Sequence, residues 1–345
     1  MLPPTSSTPH GEPILKIEDL RTQYHDKKTV LKAVDGVSLD LYPGEILGLV
    51  GESGCGKTTL GLSILNLIPH PGSIDSGRIM FRGRNVLDMS GTELRDLRGR
   101  DISMIFQDPV AGLNPVLSVG DQVQEIITAH SGIDRRAARR RATELLADMG
   151  LADPERLAGR YPFQLSGGMA QRVMIATAMA LKPAILIADE PTSALDMTVQ
   201  AQILEELRKL RNQGVAILLI THDLGVVAQM ADRVLVMYAG RLAEESNVDM
   251  LFDRPRHPYT WALLQSLPRL DNQDPGRLRQ VHGRPPDMTK LPDQCAFAPR
   301  CPKVRNECRQ LDSPPLAPIE PGHLVACYNP MYHAQPSDDD EDNED

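Results

Sequence analysis

Gly51-Glu52-Ser53-Gly54-Cys55-Gly56-Lys57-Thr58 is the stretch that most limits what this chain can fold into. It has the spacing of a phosphate-binding loop, follows the apolar run Ile46 to Val50 and precedes the amphipathic stretch Thr58 to Leu67. Its glycines let the backbone curl so that successive N–H groups point at phosphate oxygens. The helix behind it turns its positive end toward the same anion. Lys57 brings a full charge to the β and γ phosphates, Thr58 offers its hydroxyl to Mg2+, and Thr59 continues the motif into the helix.

The rest of the chain supplies the sheet that such a loop needs. From Ile14 to about Gln265, short apolar runs alternate with amphipathic ones, the pattern of strands joined by crossover helices. Ile46 to Val50, Ala184 to Ala188, Val215 to Ile220 and Val234 to Met237 lack polar alternation, which predicts strands of one sheet buried on both faces. Between Asp108 and Leu181 strand signals vanish, and Gln122 to His130 and Arg135 to Met149 have helical periodicity. A helical insertion is expected there, with the arginine run at 135–141 on a solvated helix face rather than in a nucleic-acid patch.

Two acids close the apolar run Ile185 to Ala188: Asp189 and Glu190. Adjacent carboxylates at the end of a buried strand are costly unless they meet a cation or a reacting water. Asp189 is therefore expected to help hold Mg2+, and Glu190 to orient and polarise the water attacking the γ-phosphate. The bland alternative for Glu190 is a cap on the following turn. Gln107 and His222 also fall at strand ends, where open α/β sheets collect ligands, and with the phosphate loop they become γ-phosphate sensors. Cys55 lies between two glycines of the loop and is expected to be an inert packing residue, the alternative being a thiol whose pKa Lys57 and the helix dipole lower.

Leu165-Ser166-Gly167-Gly168-Met169-Ala170-Gln171-Arg172 resembles the signature of ABC transporter ATPases, and the resemblance covers about 14–245 with the motifs in order. Met169 stands where the commonest signature has Gln, a variant similar to peptide-importer cassettes. Physically, Ser166 and the Gly167 and Gly168 amides form a second anion-binding helix start. The resemblance implies a head-to-tail dimer in which the signature of one cassette closes over the γ-phosphate held by the other. It also implies Tyr24 as the aromatic against adenine, with an edge-strand surface tyrosine as the alternative. Gln107 becomes the Q-loop residue that also touches Mg2+, Ser193 to Asp196 the D-loop and His222 the switch histidine.

After Arg254 the character changes, since residues 255–330 hold 14 of the 28 prolines and so exclude long helices and central strands. This region is expected to be a separate appendage. It carries Cys295, Cys301, Cys308 and Cys327, separated by five, six and eighteen residues, a spacing unlike the common zinc pairs. Crowded thiols in a small segment favour a ligand set, for a cluster or for zinc, over unmetallated buried thiols. Arg254-Pro255-Arg256-His257-Pro258-Tyr259-Thr260 and the cysteine segment resemble the C-terminal extension of oligopeptide and dipeptide importer ATPases. Some of these carry a 4Fe-4S cluster, and the resemblance implies one here. His257, Pro258 and Tyr259 are expected to be packing residues.

The fold class expected is therefore α/β: a P-loop NTPase (RecA-like) ABC cassette with a helical subdomain and a small Cys/Pro-rich C-terminal extension. Residues 13–107 and 182–254 would form the catalytic core, 108–181 the helical subdomain and 255–330 the extension. A disordered N-terminus at 1–12 and an acidic disordered tail at 331–345 would flank them. The net charge of −9 arises largely in that tail, where residues 338–345 hold seven acids. The near-neutral remainder argues against nonspecific nucleic-acid binding. No run approaches the roughly 20 apolar residues that span a bilayer, and the first residues have no secretory pattern, so a cytosolic setting is expected.

By resemblance the chain is the ATP-binding and ATP-hydrolysing subunit of a multi-subunit importer of di- or oligopeptides. Its cofactors would be ATP, Mg2+ and the cluster or zinc. Its partners would be a second related ATPase in a heterodimer, two transmembrane permease subunits and an extracytoplasmic substrate-binding protein, with no nucleic acid. It would sit on the cytoplasmic face of the cell membrane. Nickel or another small solute is the alternative cargo. A soluble non-transport ABC ATPase is disfavoured because long heptad insertions and a second cassette are missing.

Overall fold

A computed structural model of the chain describes residues 11–26, 29–193, 195–266 and 281–332. The expectations for the first ten residues, for Ala194 of the D-loop and for 333–345 lie outside the described residues. In chain order the strands are β1 (Leu15–His25), β2 (Val30–Leu41), β3 (Ile46–Val50), β4 (Gly72–Phe81), β5 (Arg84–Asn85), β6 (Ile102–Ile105), β7 (Ile185–Asp189), β8 (Ala216–Thr221), β9 (Arg233–Tyr238), β10 (Arg241–Asn247), β11 (Ala317–Glu320) and β12 (His323–Val325). The helices are α1 (Lys57–Ile64), α2 (Gly91–Arg100), α3 (Val119–Ser131), α4 (Arg135–Asp148), α5 (Pro154–Ala158), α6 (Gly167–Ala178), α7 (Met197–Asn212), α8 (Leu224–Met230), α9 (Val248–Asp253), α10 (Pro258–Gln265) and α11 (Glu307–Gln310).

The central sheet runs β11-β12-β10-β9-β3-β8-β7-β6. Strands β9, β3, β8, β7 and β6 run parallel to one another, while β10 pairs antiparallel with β9 and the β11–β12 edge is antiparallel. Period-two alternation splits each parallel strand between two cores. Ile46 and Val50, Leu186 and Ala188, and Ile217 and Leu219 face α7 and α8, where Leu204, Leu207 and Val227 meet them. Leu47 and Leu49, Ile185 and Ile187, and Leu218 and Ile220 face α1 and the second sheet through Leu60, Ile64, Val37 and Ile79. Burial on both faces is why these strands read as unbroken apolar runs.

The second sheet, β2-β1-β4-β5, is antiparallel. Register shifts in β1 between Ile17 and Leu20 and between Thr22 and Gln23 break the period that would have announced it. Helices α3, α4, α5 and α6 enclose a third core around Val119, Val123, Leu146 and Val173, as the helical insertion requires. Helix α6 joins the cores, sending Val173 and Ala176 into the helical one and Ile175 and Ala178 against the central sheet.

The cysteine-bearing region does not stand apart from the cassette. Strand β12 pairs with β10, and β11 with β12, so residues after Arg254 continue the central sheet at its edge. Prolines tolerate this position because an edge strand has a side that needs no ladder bonds. Glu244 of β10 anchors the junction: its carboxylate accepts from the Arg256 N–H at 2.6 Å and the His257 N–H at 2.8 Å, and pairs with His323 Nε2 at 2.6 Å. Among the described residues, no helix is long and apolar enough to cross a membrane.

Candidate active site

The carboxyl ends of β3, β6, β7 and β8 open on one edge of the central sheet, and each delivers one of the polar groups singled out above. The phosphate loop follows β3 and is tightly seated. A Cβ on Gly51 would lie 2.2 Å from the Met237 carbonyl oxygen, and one on Gly56 2.0 Å from that of Ala33. No side chain is tolerated at either place. Helix α1 starts at Lys57 with no side-chain cap on its N–H groups, which keeps them available to an anion. Lys57 Nζ donates to the carbonyl oxygens of Gly51 at 2.8 Å and Glu52 at 3.1 Å, so the ammonium already lies across its own loop.

Tyr24, Ser53, Gly54, Gly56, Lys57, Thr58, Thr59, Gln107, Glu190 and His222 line a single cavity of about 540 Å3, with Leu31 and Ala33. A larger cleft of about 1020 Å3 lies between the antiparallel sheet and the β11 edge, but its charged walls, such as Asp35 with Arg21 and Arg241, are ion-paired to each other. The chemistry-bearing groups converge on the smaller one. Tyr24 reaches it from β1, half-buried, with the Gly72 backbone against its ring.

Asp189 is 1% exposed, and its Oδ1 has no hydrogen-bond partner. Burial raises its pKa, while a hydrogen bond from Thr58 works against that. A buried carboxylate oxygen left unpaired next to the loop threonine is what a divalent cation would satisfy, so the donor set fits Mg2+. Glu190 has a positive φ of 50°, a strained geometry for a non-glycine residue, and its N–H is tied to the Ile220 carbonyl at 2.8 Å. This turn aims its carboxylate at His222, with Nδ1 and Oε1 2.8 Å apart.

Ser166, Gly167, Gly168 and Asp196 are not among the residues lining this cavity. Ser166 caps α6 by accepting from the Met169 N–H at 3.3 Å, and Asp196 caps α7 by accepting from the Val199 N–H at 2.9 Å. The two helix starts touch each other, since a Cβ on Gly168 would meet Val199 at 3.1 Å. Ser166, Gly167, Asp196 and Met197 are all exposed, Met197 at 87%. At Cys55, burial pushes the thiol pKa up and outweighs the opposing charge of Lys57, in line with the packing reading. Cys55 is a packing residue of the loop.

Cys295, Cys301, Cys308 and Cys327 line one small cavity together with His257, Phe297 and Tyr328, and all four are free thiols. Burial raises the pKa of Cys295 and Cys301, and that of Cys327 to about 12. Their convergence and soft donor chemistry fit a thiolate-bound metal group. Among the described residues, however, no three His, Cys, Asp or Glu side chains stand in an arrangement able to hold a metal ion.

Sequence reasoning missed the role of Tyr259 and overlooked Arg300. Tyr259 is fully buried, and its hydroxyl accepts from the Glu52 N–H at 2.8 Å. Arg300 grips the Glu52 carboxylate with two bonds of 2.6 and 2.8 Å. Neither has a local motif; only the glutamate inside the phosphate loop hinted that a cation must be near.

Comparison with known proteins follows the same division of the chain. Residues 34–193 match the family model "ABC transporter", and 243–308 match "Oligopeptide/dipeptide transporter, C-terminal region". The dipeptide transport ATP-binding protein DppD of Bacillus subtilis is 46% identical over 319 residues, which cover 92% of this chain and 95% of that protein. The oligopeptide transport ATP-binding protein AppD of the same organism is 44% identical over 317 residues, covering 91% and 96%. Among solved structures, the post-hydrolysis dimer of the ATP-binding cassette MJ0796 bound to ADP and Pi superposes with a TM-score of 0.62 at 30% identity. It covers 68% of this chain and 98% of that one.

Proposed function

The chain belongs to the ABC transporter ATP-binding proteins that carry the oligopeptide/dipeptide transporter C-terminal region, and on that premise we propose how its residues serve an ATP-driven peptide importer. ATP binds in the 540 Å3 cavity, with its base against Tyr24 and its phosphates on the Gly54 to Thr59 backbone and on Lys57. Thr58, Asp189 and Gln107 would hold Mg2+, which when bound neutralises charge on the β and γ phosphates. Glu190 orients and polarises the attacking water, and His222, 2.8 Å from it, holds that carboxylate in position and senses the γ-phosphate. This Glu190–His222 pair at the rim of the phosphate cavity is the observation that carries the reading.

The exposed starts of α6 and α7 support a second cassette as the missing half of the site. Ser166, Gly167 and Gly168 then close over the phosphates bound by the partner, with Asp196 of the D-loop beside them. A related but different ATPase makes the pair a heterodimer. Transmembrane permeases engage the groove of about 420 Å3 between the core and the helical subdomain, which Leu67, Phe106 and Leu117 line. The chain thus rides on the cytoplasmic face of the membrane through its permeases, and a substrate-binding protein delivers peptides from outside.

Co-purified with its permeases and partner ATPase and reconstituted in vesicles, the chain is expected to turn over ATP faster when a peptide-loaded binding protein is added. Stimulation by nickel or another small solute, with none by peptides, would overturn the choice of cargo.

The four cysteines form the second part of the proposal: they hold a 4Fe-4S cluster, supported by their convergence on one cavity. Once bound, such a cluster supplies four metal–thiolate bonds to a segment too proline-rich to build a large core of its own. Anaerobically purified protein is expected to be brown and to contain about four iron and four sulfide per chain. A colourless preparation loaded with zinc, or free of metal, would contradict it.

A further inference from the structure

The phosphate loop of this chain contains a carboxylate. Glu52 immediately precedes Ser53, which lines the nucleotide cavity, and an unpaired negative charge there would oppose a triphosphate. Two residues from beyond the cassette deal with it. Arg300 donates from Nη1 to Glu52 Oε2 at 2.6 Å and from Nη2 to Oε1 at 2.8 Å, a forked pair with the arginine side chain only 6% exposed. Tyr259 accepts the Glu52 N–H, fixing the backbone at the base of the loop.

Both partners are themselves held rigidly. Arg300 Nε donates to the His282 carbonyl at 2.9 Å, and Nη1 also reaches the Tyr238 hydroxyl at 3.3 Å. The Tyr259 ring packs on Tyr238 at 4.6 Å and Phe297 at 5.4 Å between centroids. Arg300 sits directly before Cys301 and five residues after Cys295, so whatever fixes those thiols also fixes the backbone that presents the guanidinium.

We propose that Arg300 and Tyr259 are positioning residues for nucleotide binding: the C-terminal region neutralises and anchors Glu52, so ATP affinity depends on a segment outside the cassette. This rests on the cavity being the ATP site. Charge cancellation has a signature that a purely structural contact lacks. Removing Arg300 leaves the Glu52 charge uncompensated one residue from the cavity, whereas removing both charges relieves the repulsion.

The test is titration of the full chain with a fluorescent N-methylanthraniloyl ATP and Mg2+, with thermal melts of each variant. Arg300→Gln is expected to bind about tenfold more weakly, and Glu52→Gln/Arg300→Gln to recover to within about threefold of the native chain. Arg300→Lys, which keeps the charge but not the fork, is expected to stay within about threefold, and it carries the test if Arg300→Gln does not fold. Tyr259→Phe, lacking the acceptor for the Glu52 N–H, is expected to weaken binding about threefold. Native-like affinity in Arg300→Gln, a double variant as weak as the single one, or a tenfold loss in Arg300→Lys would overturn the inference. Lys57→Ala separates the two readings: if it binds as tightly as the native chain, the assignment of the ATP site fails instead.

Discussion

Glu190→Gln is expected to leave ATP binding nearly intact and to slow turnover on the order of a hundredfold or more, the usual scale for removing a positioned general base. The substitution keeps the size of the side chain and its capacity to accept from His222 Nδ1, now 2.8 Å from Oε1. What it removes is the negative charge that, on the proposed mechanism, polarises the attacking water. Glu190 is buried at 9% exposure at the strained end of β7, so water cannot easily substitute for the lost charge. Rapid-quench turnover together with nucleotide titration on one preparation checks this. Near-normal turnover would assign the carboxylate to the turn instead, as the cap considered from the sequence.

Gly167→Asp is expected to cost a comparable factor, on the order of a hundredfold, but only in the assembled transporter. A Cβ at Gly167 meets nothing within 4 Å, so the added side chain has room. An acid in the first turn of α6 also suits the helix dipole, so the melting temperature should not fall. On the proposed head-to-tail pairing, the new carboxylate would nevertheless face the phosphates held by the neighbouring cassette. ATP binding to the isolated chain should not change, because no signature residue lines the nucleotide cavity. Reduced binding by the isolated chain would show that the signature serves its own phosphate loop.

The features that were legible in the sequence are those built from consecutive residues under strong steric demands. The run Ile46 to Val50 became β3 with the expected bounds because five consecutive residues are buried on both faces. The phosphate loop could be read because only glycine fits at Gly51 and Gly56. Gln107 and His222 line one cavity because strand ends in a parallel sheet face one edge. The antiparallel sheet escaped because bulges in β1 interrupt its alternation. The attachment of the cysteine region escaped because it depends on pairing between β10 and β12, distant in the chain, and on a buried Glu244–His323 pair with no local signature. Cys55 reads as a packing residue in the sequence and is one in the structure, where burial outweighs the neighbouring lysine. The Glu52–Arg300 pair spans 248 positions and could not have been read at all.

The composite site is tested most directly by measuring ATP turnover per chain while particle mass is determined in the same sample, first for this chain alone and then with its partner ATPase added. A solitary chain should bind ATP and hydrolyse almost none, with turnover rising in step with the dimeric species. Full turnover by particles of single-chain mass, unchanged by Gly167→Asp, would contradict it.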